Sequence, residues 1–206
     1  MAELRSYIVL DSLQPQLASF LATTVRGYLP VAGMASLIVE VAPGMEIVPL
    51  LDVAVKATSV RPSIQVVERS FGTLEVHSES QADVRQAGQA VLDAMGLQEH
   101  DRLSPKIASS QVIRNVDPYQ AALINKARYG SMLLAGQTLF IVETQPAAYA
   151  ALAANEAEKA SKVNLIDIRL FGNYGRLYLG GEEADVVVGS EAALKSLEGL
   201  PGRDES

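Results

Sequence analysis

The chain is 206 residues long, which suits one large domain or two of about 100 residues. With 49% apolar and 5% aromatic residues it is not an intrinsically disordered chain, and its core must be built from Ala, Val, Leu and Ile. A formal net charge of −7 argues against a basic phosphate-binding footprint, so nucleic acid is not an expected partner, and the absence of cysteine removes disulfides and thiolate metal sites.

The opening segment, MAELRSYIVLDSLQ, carries charges where an apolar signal core would sit, and no stretch approaches the ~18 apolar residues of a spanning helix. A cytosolic protein with no membrane partner is expected. An apolar strand (RSYIVL) comes first, followed by a helix opening at Pro15 with Leu17, Phe20 and Leu21 as its buried stripe. A second strand (SLIVEV) and a helix (VPLLDVAVKAT) follow, then two strands joined by the turn in VVERSFGTLEV. The next helix, SQADVRQAGQAVLDAMG, sets Val84, Ala87, Val91 and Met95 at helical spacing and stops at Gly96. Residues 98–107 are polar and turn-rich and are expected to be a linker, and 201–206 a tail.

After the linker the same order returns. Shifted by 103 residues, the sequence matches itself in one gapless register: Pro15 falls on Pro118, Gly27 on Gly130, Ala32-Gly33 on Ala135-Gly136 and Ile38-Val39-Glu40 on Ile141-Val142-Glu143. Pro43 then falls on Pro146, Lys56-Ala57 on Lys159-Ala160, Gly72 on Gly175 and Leu74 on Leu177. A repeat of this length means two copies of one unit. The fold class expected is α+β: two tandem units, 1–103 and 104–206, each a four-stranded antiparallel-type sheet with helices packed on it. In the second copy Asp117 is placed to cap the helix that opens at Pro118, and the Ala-rich AAYAALAANEAEKAS offers a narrow face for core packing or for an interface.

Catalysis finds no constellation. His77 falls in a strand and His100 in the linker, neither beside carboxylates at metal-ligand spacing, so both are expected to be solvated and no metal or cofactor is expected. The paired acids of GGEEAD stand where a strand enters a helix, which the helix dipole explains, and FGNYG lacks the Gly-Lys-Ser/Thr ending of a phosphate loop. Lys56 and Lys159 end equivalent helices. The turn at Glu68, Arg69, Ser70, Phe71 and Gly72 is the unusual feature, because it puts an acid, a base and an aromatic ring where Asn-Gly would suffice.

At these residues the chain resembles a known family, the tandem-domain shell proteins of bacterial microcompartments, in its carboxysome branch. The passages that carry the resemblance span nearly the whole chain: ELRSY, DSLQPQLAS, EVAPGMEI, VERSFG, LSPKIASSQVIRN, MLLAGQTL, QPAAYAALAANEAEKA and GRLYLGGEE. The family's circularly permuted form places first the strand and helix that usually close a shell domain, as here. The resemblance implies a homotrimer whose six domains imitate a hexagonal tile in the carboxysome shell, meeting other shell proteins edge to edge and stacking face to face with a second trimer. It implies no enzymatic activity. Glu68 and Arg69 would be the acid-base pair that opens or shuts a central pore, with Ser70, Phe71 and Gly72 continuing that loop. Gly172, Asn173, Tyr174 and Gly175 would form the equivalent loop, and Lys56 and Lys159 the tile edges. Phosphorylated metabolites, namely ribulose bisphosphate and phosphoglycerate, would cross the opened pore. The rival class is a tandem regulatory protein that binds a small molecule between its units; composition and repeat architecture fit it equally well.

Overall fold

The computed structural model describes residues 2–204. Two four-stranded antiparallel sheets follow one another along the chain. The first is built from β1 (Glu3–Leu10), β2 (Ala35–Ala42), β3 (Arg61–Glu68) and β4 (Phe71–Ser78), in the order β1-β2-β4-β3. The second repeats the order with β5 (Lys106–Ile113), β6 (Thr138–Gln145), β7 (Asn164–Arg169) and β8 (Gly175–Gly181). The helices are α1 (Pro15–Thr24), α2 (Ile47–Ala57) and α3 (Gln81–Met95), then α4 (Pro118–Ala127), α5 (Tyr149–Ala160) and α6 (Glu183–Glu198).

The irregularities repeat with the elements. Strand β1 bulges between Leu4 and Ser6 and β5 between Ile107 and Ser109; β3 bulges between Pro62 and Ile64 and β7 between Leu165 and Asp167. Asp117 caps α4 by accepting from the Tyr119 amide at 2.8 Å, and Gly96 ends α3 in the left-handed region at φ 67°. Gly27 and Gly130 serve one purpose: a Cβ there would come within 2.4 Å of the Pro62 carbonyl and 2.2 Å of the Leu165 carbonyl.

Alternation along the strands separates two faces. In the first sheet Leu37, Val39, Val41, Leu74 and Val76 point at α2 and α3 and close a core with Ile47, Leu50, Val84 and Val91. The opposite face carries Ile8, Leu10, Ile38 and Ile64, covered by Leu17, Phe20 and Leu21 of α1; this cluster runs on without a break into Ala148 and, in α5, Tyr149, Ala150, Ala151, Ala153, Ala154 and Ala157. The Ala-rich helix is therefore both core of its own unit and the surface on which the first unit lies. Tight hydrogen bonds fix the junction. The Gln16 and Leu17 amides donate to Glu158 at 2.7 and 3.0 Å, the Gln14 amide to Asn155 Oδ1 at 3.0 Å, and the Gln16 side chain bonds both Val163 and Leu165.

Two expectations need correction. Residues 106 and 107 are the start of β5 rather than linker, and the rest of that segment is tied down: Arg102 is buried, bonding the Tyr7 carbonyl at 2.9 Å, while Leu103 bridges Arg203 of the tail. His77 is fully buried rather than solvated. Its Nδ1 lies 3.2 Å from Glu75, itself buried, and Glu75 also accepts from the Ser36 hydroxyl at 2.5 Å and from the Ser63 hydroxyl. The counterparts of these four in the second sheet are Leu139, Ile166, Tyr178 and Gly180, three of which pack in or against a small apolar cluster.

Candidate pore loops and the boundary between units

Both candidate loops are strand connections at the same end of their sheets. In the first, Glu68 pairs with Phe71 across a two-residue turn, and Arg69 occupies the left-handed region at φ 55°, where a non-glycine residue is uncommon. Glu68, Arg69 and Ser70 are exposed, and no ion pair joins Glu68 to Arg69 among the described residues. The root of the turn is clamped. A Cβ on Gly72 would meet the Gly44 carbonyl at 2.1 Å, so the chain passes there only as glycine.

Beneath Phe71 lies a charge that the sequence does not advertise. The Arg5 guanidinium sits 3.8 Å from the centre of the Phe71 ring, and its Nε donates to Glu40 at 2.8 Å. The other Glu40 oxygen accepts from the Ala148 amide at 3.1 Å, so this buried pair links the root of the first loop to the second unit. Burial pushes the Glu40 carboxyl up, and its bond to Arg5 pulls it back down.

The second loop is built differently. Gly172 stands where the first loop has Arg69 and takes φ 101°; Asn173 is exposed and Tyr174 is 42% exposed. Gly175 is clamped as Gly72 is, with the Ala147 carbonyl 2.0 Å from where a Cβ would sit. Among the described residues no cation stacks on Tyr174: Ala108 stands where the first unit has Arg5, and Glu143 turns instead to Arg176 on β8 at 2.6 Å. The structure brings the two loops side by side: Glu68 Oε1 lies 3.2 Å from the Cβ position of Gly172. One loop is charged and one nearly neutral, and they touch.

Lys56 and Lys159 lie far out in the last turns of α2 and α5, 73% and 65% exposed, each beside a carboxylate of its own helix, Asp52 at 2.6 Å and Glu156 at 3.6 Å. Exposed pairs of this kind contribute under ~1 kcal/mol and leave the ammonium groups available. Among the described residues no group of three or more His, Asp or Glu side chains forms a metal cluster, and no helix is long and apolar enough to cross a membrane.

Residues 4–101 match the family described as the CsoS1D N-terminal domain. The chain is 56% identical over 202 residues to the carboxysome shell protein CcmP of Synechococcus elongatus, covering 98% of this chain and 95% of that one. It belongs to the tandem-domain shell proteins of bacterial microcompartments. The carboxysome shell protein CsoS1D of Hydrogenovibrio crunogenus is 48% identical over 204 residues, covering 98% of this chain and 100% of the relative. Among solved structures, the fused permuted hexameric shell protein MSM0275 of the RMM microcompartment superposes with a TM-score of 0.95 at 47% identity, covering 98% of this chain and 100% of that one. The double-ringed trimeric shell protein MSM0271 of the same microcompartment superposes at 0.96 with 38% identity, each chain fully covered. Shell proteins of this family are structural, not enzymes.

Proposed function

We propose that this protein is a carboxysome shell tile: three chains, each of two units divided near residue 103, close into a ring with a gated pore at its centre. The observation that supports it most is the junction inside the chain. Shifting the residues of α1 and of its α5 partner surface by 103 gives a second, unused junction. Leu123 of α4 is 66% exposed where its counterpart Phe20 is buried, and Met45 before α2 and Val48 in its first turn are exposed where Ala148 and Ala151 are covered. A contact that joins unit one to unit two, repeated head to tail between copies, is heterologous, and such a contact closes into a ring when its rotation allows. Pseudo-sixfold closure then takes three chains.

In that ring three Glu68-Arg69-Ser70-Phe71-Gly72 loops alternate with three Gly172-Asn173-Tyr174-Gly175 loops around the axis. Three Arg69 side chains ~8 Å apart would repel by roughly 2 kcal/mol per pair at an effective dielectric of about 20, so they require Glu68 partners or retreat from the axis. Two such packings differing by a few kcal/mol make a switch. The opened hole suits phosphorylated anions, ribulose bisphosphate inward and phosphoglycerate outward, drawn by the arginines. Lys56 and Lys159 meet neighbouring tiles, and two trimers stack face to face.

Light scattering on the purified protein, negative-stain images of concentrated samples and metabolite flux through shells carrying Glu68→Ala or Arg69→Ala test the assignment. A trimer, flat sheets and altered flux are expected. A monomer, or unchanged pore geometry and flux in both variants, refutes it.

A further inference from the structure

The cavity at the junction inside the chain, about 330 Å³, has one wall of Leu21, Thr24 and Ile64 from the first unit and another running from Asp167 to Phe171 in the second. Shifted by 103, the first wall becomes Ile124, Ala127 and Asp167, and these line a separate cavity of about 180 Å³ that lacks its opposite wall. Three arginines line it, Arg128, Arg169 and Arg176, of which Arg169 borders the first cavity as well. The missing wall, shifted likewise, is Ile64 to Glu68 of another copy. Glu68 then stands where Phe171 stands inside the chain.

We propose that Glu68 has two docking places: the Gly172 turn of its own chain, where it lies in this structure, and the arginine-lined cavity of the adjacent copy. The second rests on the trimer proposed above. At the inner junction the position is filled by the Phe171 ring, with Leu21, Ile64, Ile168 and Leu170 on the same cavity and Asp167 and Arg169 as its charged members. At the outer junction the same position meets guanidinium groups whose own partners are few. Arg176 is held by Glu143 at 2.6 Å, and Arg128 donates to Asn125 at 3.1 Å and to the Gly130 carbonyl at 2.7 Å; Arg169 is exposed. Asp167 also faces the cavity; burial pushes its carboxyl up, while the Tyr129 amide and Arg169 pull it down. Carboxylate and guanidinium groups brought together across a partly desolvated boundary form charge-assisted hydrogen bonds. Moving Glu68 between the two places takes the gate's acid off the axis and gives it partners there, so gate position and subunit contact become one equilibrium.

The chain has no cysteine, which makes cross-linking clean. Glu68→Cys/Ala127→Cys, treated with a short bismaleimide, is expected to give covalent dimers and trimers on a denaturing gel. Val55→Cys/Tyr119→Cys, the shifted equivalents of Glu158 and Gln16, reports the junction itself. A control pair that cross-links while Glu68→Cys/Ala127→Cys stays monomeric overturns this inference alone; a protein monomeric in solution overturns the trimer with it. In thermal melts of the trimer, Glu68→Gln and Arg128→Gln are each expected to lower Tm by about 2–4 °C, with the double variant losing clearly less than the sum. Strictly additive losses would also overturn it.

Discussion

Replacing Arg5 by methionine isolates the buried pair beneath the first loop. Methionine keeps the unbranched stem and loses the charge, leaving Glu40, fully buried, with only backbone donors around it. Removing one partner of a buried ion pair costs about 3–5 kcal/mol, much of it from stranding the other charge. In a chain of this size each kcal/mol moves Tm by roughly 2–4 °C, so a fall of roughly 6–20 °C is expected by differential scanning calorimetry at fixed protein concentration. Glu40 is already pushed up by burial, and losing Arg5 pushes it higher, so protonation relieves the strain: the penalty should shrink as pH falls below neutral. Arg5→Met/Glu40→Leu removes both charges and should melt higher than the single variant. A fall of less than about 2 °C at neutral pH, or a double variant no better than the single, would refute the account.

Gly27→Ala should destabilise by about 1–3 kcal/mol because its methyl meets the Pro62 carbonyl, whereas Gly199→Ala, with open space around it, should stay within about 0.5 kcal/mol in the same melts. Glu75→Leu should lower Tm by stranding the Ser36 and Ser63 hydroxyls and His77, while transplanting the whole second-unit set, Ser36→Leu/Ser63→Ile/Glu75→Tyr/His77→Gly, should recover most of the loss. Because the folded Glu40 carboxyl lies above its ordinary value, its contribution is fully present below about 4.5 and lost as pH rises through the folded value; Glu40→Gln should flatten that part of the stability profile. Lys56→Ala/Lys159→Ala should leave Tm unchanged and abolish flat sheets in negative stain.

The repeat, the caps and the turn were legible because each is a local pattern. Pro118 behind Asp117, Gly96 after Met95 and the 103-residue register need no knowledge of the third dimension, and the structure repeats that register down to the strand bulges. His77 departs from expectation because its strand alternates polar and apolar residues as a half-solvated strand does, while Leu17, Phe20 and Leu21 of α1 pack on the neighbouring Ile38 and Ile64 and Met34 lines the same pocket as His77. Arg5 and Phe71 are 66 positions apart and meet only because β1 and β4 flank the same central strand. The stripe of Leu17, Phe20 and Leu21 was plain, but nothing in it says that the surface it covers includes the other half of the chain. Of the arginines of the outer cavity, Arg169 and Arg176 face each other across one hairpin, but Arg128, the residue that follows α4, stands 41 positions before Arg169.

The junction sealed by Gln16 and Glu158 lies within one covalent chain, so it forms at an effective concentration set by the tether and is indifferent to dilution. The counterpart proposed between chains would have no such help and would follow mass action. Three of the six seams in a closed ring are thus settled at the ribosome and three in solution. Diluting the protein should part it into thirds, never into sixths.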